Sequence, residues 1–476
     1  MGPKTHSFTF PVLRFAATFR LVTRSALATI ALATAAVFLA AAPSAFADDL
    51  WLPHSAGATW AYSWSDSVYN PTPTREKVTV KSRTGTSFVL AWTTANLDNA
   101  KTAVSSNGTV SFQDTDEGIV NTDWTSDPPP TNFPILCATA TSCGNSLAST
   151  YYNIIWGSRN PLLAEPLLKG ITWGGTGGSK NDVSSVSTYL GNEPVTVPAF
   201  PHGVMAAKIR TQITQAGAIG DPYGSGVRIT WWVYGVGPVK VVFDHAGGAG
   251  APVATSMLQS TSLKPLPTPT NVDYFPLVKG RSLTYRWTNS KHLRKAEVEK
   301  LVVDAVVNNT ARFTIKTATG PIKAKGSYGF SKRVAGIANL WGSTASATLS
   351  PFPPLGPKDA PASAKIHFAS PFDLMDFGLN PVLTAYPSAG EQWSSSTKSS
   401  EFNTYGVTGT TRVLGVQTVQ VPAGTFKALA VRSTLLQPGF PFGSGTRTCW
   451  FAPGVGLVKL VFQHGDKSVS TVVLLR

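Results

Sequence analysis

Gly224-Ser225-Gly226-Val227-Arg228-Ile229-Thr230-Trp231 is written again, 219 residues later, as Gly443-Ser444-Gly445-Thr446-Arg447-Thr448-Cys449-Trp450. The match continues without a gap to His245 and His464, and 13 of its 22 positions are identical. Chance would give about one or two at ordinary composition. Other stretches repeat at nearly the same spacing. Pro53, Gly57, Tyr62 and Trp64 return as Pro276, Gly280, Tyr285 and Trp287, and Asn160-Pro161, Gly170 and Trp173 return as Asn380-Pro381, Gly390 and Trp393. Order is kept from end to end, so a whole domain has been duplicated. A solenoid would repeat at a much shorter period.

The local pattern inside each copy is that of strands. Lys77-Val78-Thr79-Val80-Lys81 alternates with period two, and so do Val195-Thr196-Val197 and Val419-Gln420-Val421. Val239-Lys240-Val241-Val242-Phe243 and Val458-Lys459-Leu460-Val461-Phe462 are rich in β-branched and aromatic residues. Gly235-Val236-Gly237 and Gly454-Val455-Gly456 precede those runs and read as turns. The chain holds 42 Gly and 35 Pro, which punctuate strands and disfavour long helices. Lys295 to Ala305 is the one stretch readable as a short helix, and its β-branched residues argue for a strand instead. The expected class is all-β, with one or two short helices at most. Two tandem domains are expected, each a curved antiparallel sheet, a half-barrel or a sandwich.

The boundaries follow from composition. Lys4, Arg14, Arg20 and Arg24 form a basic leader without acidic residues, followed by an alanine-rich run from Ala26 to Ala42 and by Ala45-Phe46-Ala47. That is the layout of a secretory signal peptide cut after Ala47, with a retained anchor as the alternative. Residues 48–263 are the first copy and 271–476 the second. Residues 264–270 carry three prolines and read as a short, stiff connector. Export favours an oxidising compartment, where Cys137 and Cys143 are expected to close a small disulfide loop. Cys449 reads as a buried small apolar residue.

The second copy carries Phe275-Pro276-Leu277-Val278-Lys279-Gly280, Val421-Pro422-Ala423-Gly424-Thr425-Phe426 and Trp450-Phe451-Ala452-Pro453-Gly454-Val455-Gly456. These phrases resemble a broad group of exported bacterial proteins of unassigned function. The resemblance implies curved antiparallel sheets similar to those of periplasmic lipoprotein carriers. It covers the ends of each copy. The first copy departs from it, with Ala199-Phe200-Pro201-His202-Gly203 in place of the Ala-Gly-Thr turn and Tyr234 in place of Pro453. The group supplies no catalytic residues to carry over.

A search for chemistry finds little. His245 and His464 are equivalent by the repeat, and neither has a second histidine or a cysteine at metal-ligand spacing. There is no nucleophile elbow of the G-x-S-x-G kind. Gly174 to Lys180 is glycine-rich but lacks the Gly-Lys-Ser/Thr ending of a phosphate loop. Asp114, Asp116 and Glu117 read as a solvated acidic turn, because their counterparts include Lys332 and Val334. Nothing calls for a cofactor or a metal.

Tryptophans and charge remain. Trp64, Trp173 and Trp231 recur as Trp287, Trp393 and Trp450 and read as core. Trp92 and Trp156 have no aromatic counterpart and are the candidates for contact with an apolar or glycan ligand, against the alternative of local core packing. The net charge is +15, unevenly spread. Residues 48–263 hold 12 Lys/Arg against 15 Asp/Glu, and residues 264–476 hold 24 against 10. One copy has become basic, which suggests an anionic partner for it. Its densest run is Lys291-His292-Leu293-Arg294-Lys295, so Lys291, Arg294 and Lys295 are the candidate contacts.

The reading that unites these features is a secreted or cell-envelope binding protein without catalysis. Its basic second copy would contact an anionic envelope polymer or acidic lipid, with nucleic acid disfavoured as a partner. A carrier of a lipid or other apolar ligand on the concave sheet face is the first alternative. A secreted hydrolase with its site in the first copy, around residues 100–160, is the second.

Overall fold

The computed structural model describes residues 50–96, 107–127, 149–157, 161–177, 183–215, 222–246, 250–269, 272–307, 309–346, 350–355, 367–378, 381–396 and 406–476. The expected signal peptide and the Cys137–Cys143 loop lie outside them. Among the described residues no helix is long and apolar enough to cross a membrane.

The first copy contains β1 (Thr59–Asp66), β2 (Asn70–Thr84), β3 (Ser87–Asn96), β4 (Asn107–Thr115), β5 (Gly118–Asp127), the short helix α1 (Thr150–Ile155), β6 (Thr172–Gly177), β7 (Val183–Val197), β8 (Phe200–Gln215), β9 (Gly226–Val233), β10 (Gly237–His245) and β11 (Val253–Thr261). The second contains β12 (Ser282–Asn289), β13 (Leu293–Val307), β14 (Thr310–Thr319), β15 (Lys325–Arg333), β16 (Gly336–Ala345), α2 (Pro371–Asp376), β17 (Gln392–Ser396), β18 (Thr408–Val421), β19 (Gly424–Leu436), β20 (Gly445–Ala452), β21 (Gly456–His464) and β22 (Val469–Leu474).

Each copy forms one eleven-stranded antiparallel sheet, and the two strand orders correspond: β5-β4-β3-β2-β1-β11-β10-β9-β8-β7-β6 and β16-β15-β14-β13-β12-β22-β21-β20-β19-β18-β17. Two meanders are therefore joined where the first strand of a copy pairs with its last. The outermost strands do not pair with each other, so neither sheet is a closed barrel. Bulges interrupt several ladders, including β2–β3, β7–β8, β13–β14 and β18–β19, and a bulge bends and twists the strand that carries it. The expected all-β tandem is the observed one. The possible helix at Lys295–Ala305 is instead part of β13, where burial alternates with period two from Glu297 to Val303.

The crossing between the two meanders of each copy carries the helix. Ser149 caps α1 by accepting from the Tyr152 N–H, and Ser370 caps α2 in a capping box with Asp373. At the other end a buried arginine holds the last carbonyls. Arg228 Nη1 donates to Asn153 O (2.5 Å) and Trp156 O (2.8 Å), and Arg447 Nη1 donates to Leu374 O (2.5 Å) and Phe377 O (2.9 Å). Carbonyls at a helix end have no partner within the helix, so a buried end needs such donors. All six residues of α1 are buried, and Tyr152 packs edge-on against both Trp92 and Trp124. In the second copy Phe372 of α2 meets Phe275, Phe313, Tyr328 and Phe330. The helix thus packs on part of the inner face of its own sheet.

The copies touch through equivalent segments. Asp116, in the β4–β5 turn, pairs with Arg333, next to the corresponding β15–β16 turn, and its carbonyl accepts from the Val334 N–H at 2.9 Å. The Leu167 N–H donates to the Tyr386 hydroxyl at 3.1 Å, next to Pro387, the counterpart of Leu167. A cleft there, lined by Pro166, Leu168, Asp273, Lys332, Thr384 and Pro387 among others, has a volume of about 20 Å³, which is water-sized.

Candidate anion-binding face

The repeated residues are largely scaffold. His245 and His464 stand at strand ends, each with Nδ1 2.6 Å from a backbone carbonyl, of Tyr223 and Phe442 respectively. A carbonyl only accepts, so Nδ1 carries the proton. Burial pushes both imidazoles down to about 4, and they are neutral at ordinary pH. His464 Nε2 lies 2.8 Å from Ser470 Oγ, but both residues are buried, so this Ser–His pair is out of reach of a substrate. Cys449 is buried, as expected. Asp114 faces the buried His54 (3.2 Å), and Asp116 is taken by Arg333.

Trp92 is 1 % exposed and Trp156 is 9 % exposed. Trp92 packs under Tyr152, and the Trp156 indole N–H is bound to Gly224 O at 2.7 Å. Neither ring presents a face to solvent, so these two tryptophans are core and not stacking platforms. Trp156 ends α1 where Phe377 ends α2, so the structure supplies an aromatic counterpart that the sequence repeat misses.

Lys291, Arg294 and Lys295 are exposed at the β12–β13 hairpin. Part of that charge is used nearby: Lys291 Nζ donates to the Asp466 carbonyl, and His292 Nε2 pairs with the Asp466 carboxylate at 2.9 Å.

A larger basic surface is assembled by pairing. Ala430, Trp450, Lys459, Val473 and Arg286 are successive partners across β19, β20, β21, β22 and β12. Arg412, Arg432, Thr448, Val461 and Thr471 are successive partners across β18 to β22. Residues opposite one another on antiparallel strands project to the same side, and so do residues two apart on one strand, about 7 Å away. Arg286, Arg412, Arg432, Lys459 and Trp450 therefore share one face. The three arginines are exposed; Lys459 and Trp450 are half-buried. The Lys459 ammonium lies 5.4 Å from the Trp450 ring centre, a cation–π distance.

No Asp or Glu occurs in β12 or in any strand from β17 to β22, and these seven strands are contiguous in the sheet. The acids of the second copy are spent elsewhere. Glu297 and Glu299 are fully buried on β13. Burial pushes the Glu299 and Asp376 carboxyls well above the usual carboxylate range and raises Asp373, moving all three toward the neutral form. Asp273 pairs with Lys332 (2.8 Å) and Asp304 with Arg312 (2.7 Å) and Lys316 (3.3 Å). Glu391 accepts from the Ser388 N–H, and Asp359 and Glu401 lie outside the described residues. The first copy differs, since Asp66, Glu193 and Asp244 stand on its corresponding strands.

Trp450 was readable in the chain only as a repeat of Trp231, hence as core. Trp231 is indeed 9 % exposed, whereas Trp450, at the equivalent place, is half-buried. The signal that separates them lies in their cross-strand neighbours.

No family model matches the chain, and no curated protein matches it. Two solved structures are similar. One is of a protein provisionally assigned as a lipoprotein from Parabacteroides distasonis: 14% identity, 44% of this chain and 99% of that chain covered, TM-score 0.24. The other is of a protein provisionally assigned as exported, with a YmcC-like fold, from Bacteroides fragilis: 16% identity, 43% of this chain and 98% of that chain covered, TM-score 0.22. A likeness at this level carries no conclusion about activity.

Proposed function

We propose that this chain is an exported, envelope-associated or secreted binding protein without catalysis, whose second copy holds an anionic surface or polymer. One observation carries the reading. Seven contiguous strands present Arg286, Arg412, Arg432 and Lys459 on one face and contain no carboxylate. Clustered cations without compensating acids raise the local concentration of a polyanion and speed its encounter. The basic leader with Ala45-Phe46-Ala47 supports export.

The carrier alternative draws less support. Among the described residues α1 and α2 with their aromatic neighbours fill part of each inner face, and the cleft between the copies is water-sized. A bound lipid chain would need hundreds of Å³.

The test is salt-dependent binding by the mature chain. Vesicles with and without acidic lipid, and an acidic polymer, are titrated at low salt and at about 0.5 M, where the Debye length falls to a few Å. Binding that requires the anion and weakens at high salt is expected. Absence of binding at low salt to every polyanion tried overturns the reading.

A further inference from the structure

Trp231 and Trp450 occupy equivalent places in the two sheets, yet their surroundings have diverged in one direction. In the first copy Trp231 stands between Lys208 on β8 and Lys240 on β10. Both ammonium groups lie over its ring, at 5.4 and 4.9 Å from the centre. Its indole N–H donates to Glu193 Oε1 at 2.7 Å, and Glu193 pairs with Lys208 at 3.0 Å. That hydrogen bond, with Lys208 beside it, holds the Glu193 carboxyl below its ordinary range. The ring is covered, and Glu193 offsets one of the two ammonium charges.

In the second copy Trp450 stands between Ala430 on β19 and Lys459 on β21. Ala430 takes the place of Lys208. The indole N–H now reaches Gln417 Oε1 on β18, at 3.0 Å, so Gln417 takes the place of Glu193. To reach β18 from β20 the indole must lie across β19, over the Ala430 methyl. The position opposite Arg210, Thr188 in the first copy, is Arg412 opposite Arg432 in the second. Three changes at one spot thus remove one of the two lysines over a tryptophan ring, remove a carboxylate and add a guanidinium, while Lys459 stays 5.4 Å from the Trp450 ring centre.

We infer that Trp450, with Arg412, Arg432 and Lys459, forms a subsite for an acidic polysaccharide, a sugar ring resting on the indole and its carboxylates held by the two arginines. This rests on the proposed anion-binding reading and names the partner within it. The half-buried indole, oriented by the Gln417 hydrogen bond and with Lys459 beside its ring, offers the part of its surface that stays exposed to the C–H groups of a pyranose. The neighbouring guanidiniums offer planar forks that match carboxylates. A lipid surface would engage the same cations and could seat the indole at headgroup level, and a vesicle titration separates it from the glycan.

The test titrates the mature chain with polygalacturonate, with a neutral dextran and with acidic lipid vesicles. The variants are Ala430→Lys combined with Gln417→Glu, and Arg412→Thr alone. Each introduces the residue that the first copy already carries at that place, so the sheet should accept it; a thermal melt confirms folding. Polygalacturonate binding, weakened about tenfold by the double variant and severalfold by Arg412→Thr, with dextran bound far more weakly, is the expected result. Polygalacturonate bound equally by wild type and variants removes Trp450 from the site while leaving the anion-binding reading intact. Binding of vesicles but not of polygalacturonate overturns the glycan inference in favour of a lipid surface. Binding of none overturns both.

Discussion

Glu76 Oε2 accepts a hydrogen bond from the backbone N–H of Thr150 at 2.8 Å, deep in the first copy at the start of α1. Burial raises the Glu76 carboxyl to about 7, against the lowering effect of the Thr150 and Ser149 hydrogen bonds. The folded pKa stands above the unfolded value of about 4.5, so the folded state binds the extra proton. The stability from this group is complete below pH 4.5 and is lost as pH rises through 7. The span is on the order of 3 kcal/mol. Glu76→Gln should flatten that part of the stability–pH curve and leave the variant more stable than wild type near pH 8. Equal slopes between pH 4.5 and 8 for the two proteins would contradict the assignment.

Arg447 is fully buried and supplies the partners for two carbonyls at the end of α2. Arg447→Met keeps the length of the side chain and deletes the donors. Two buried carbonyls left unpaired should cost about 2–5 kcal/mol, read as a lower denaturant midpoint. Arg228→Met should do the same to the first copy. If either substitution proves neutral, the arginine does not hold the helix end.

Gly336 has φ of +131°, and a Cβ built on it would lie 1.9 Å from Leu383 O. Gly118, its counterpart, would place a Cβ 2.2 Å from Leu163 O. Both glycines let the segment after the helix close against the sheet. Alanine at either position should destabilise by about 2–4 kcal/mol, from backbone strain and the clash together. A melting temperature unchanged by Gly336→Ala would show that the segment yields easily.

Arg333 and Asp116 link the two copies but are 29% and 56% exposed as side chains. A solvated pair of this kind contributes about 0–1 kcal/mol. Arg333→Ala should leave the chemical-denaturation midpoint nearly unchanged. A loss above about 2 kcal/mol would make the ion pair a structural requirement of the junction.

Much of the fold was legible in the chain because its causes are local. Period-two runs such as Val195-Thr196-Val197 make strands wherever they fall, and glycines such as Gly235 and Gly237 mark the turns between them. The β13 segment shows the limit: its composition is equivocal between helix and strand, and pairing with β12 and β14 decides it. The candidate site was less legible. Lys291, Arg294 and Lys295 stood out because they are neighbours in the chain, whereas Arg286, Arg412, Arg432 and Lys459 are scattered over more than 170 residues.

By itself, then, the sequence determined the duplication, the β class and the charge difference between the copies, since each is a property of residues close together or of simple composition. Tertiary structure alone decided which residues share a face. Alternation tells a strand that it has two sides, but not which strand will lie beside it. β12 meets β22 only when the copy closes on itself, and that closure lines Arg286 up with Lys459 and Trp450. The same cause separates the two tryptophans. Trp231 is buried and Trp450 half-buried because the residue across the ladder on one side is Lys208 in one copy and Ala430 in the other.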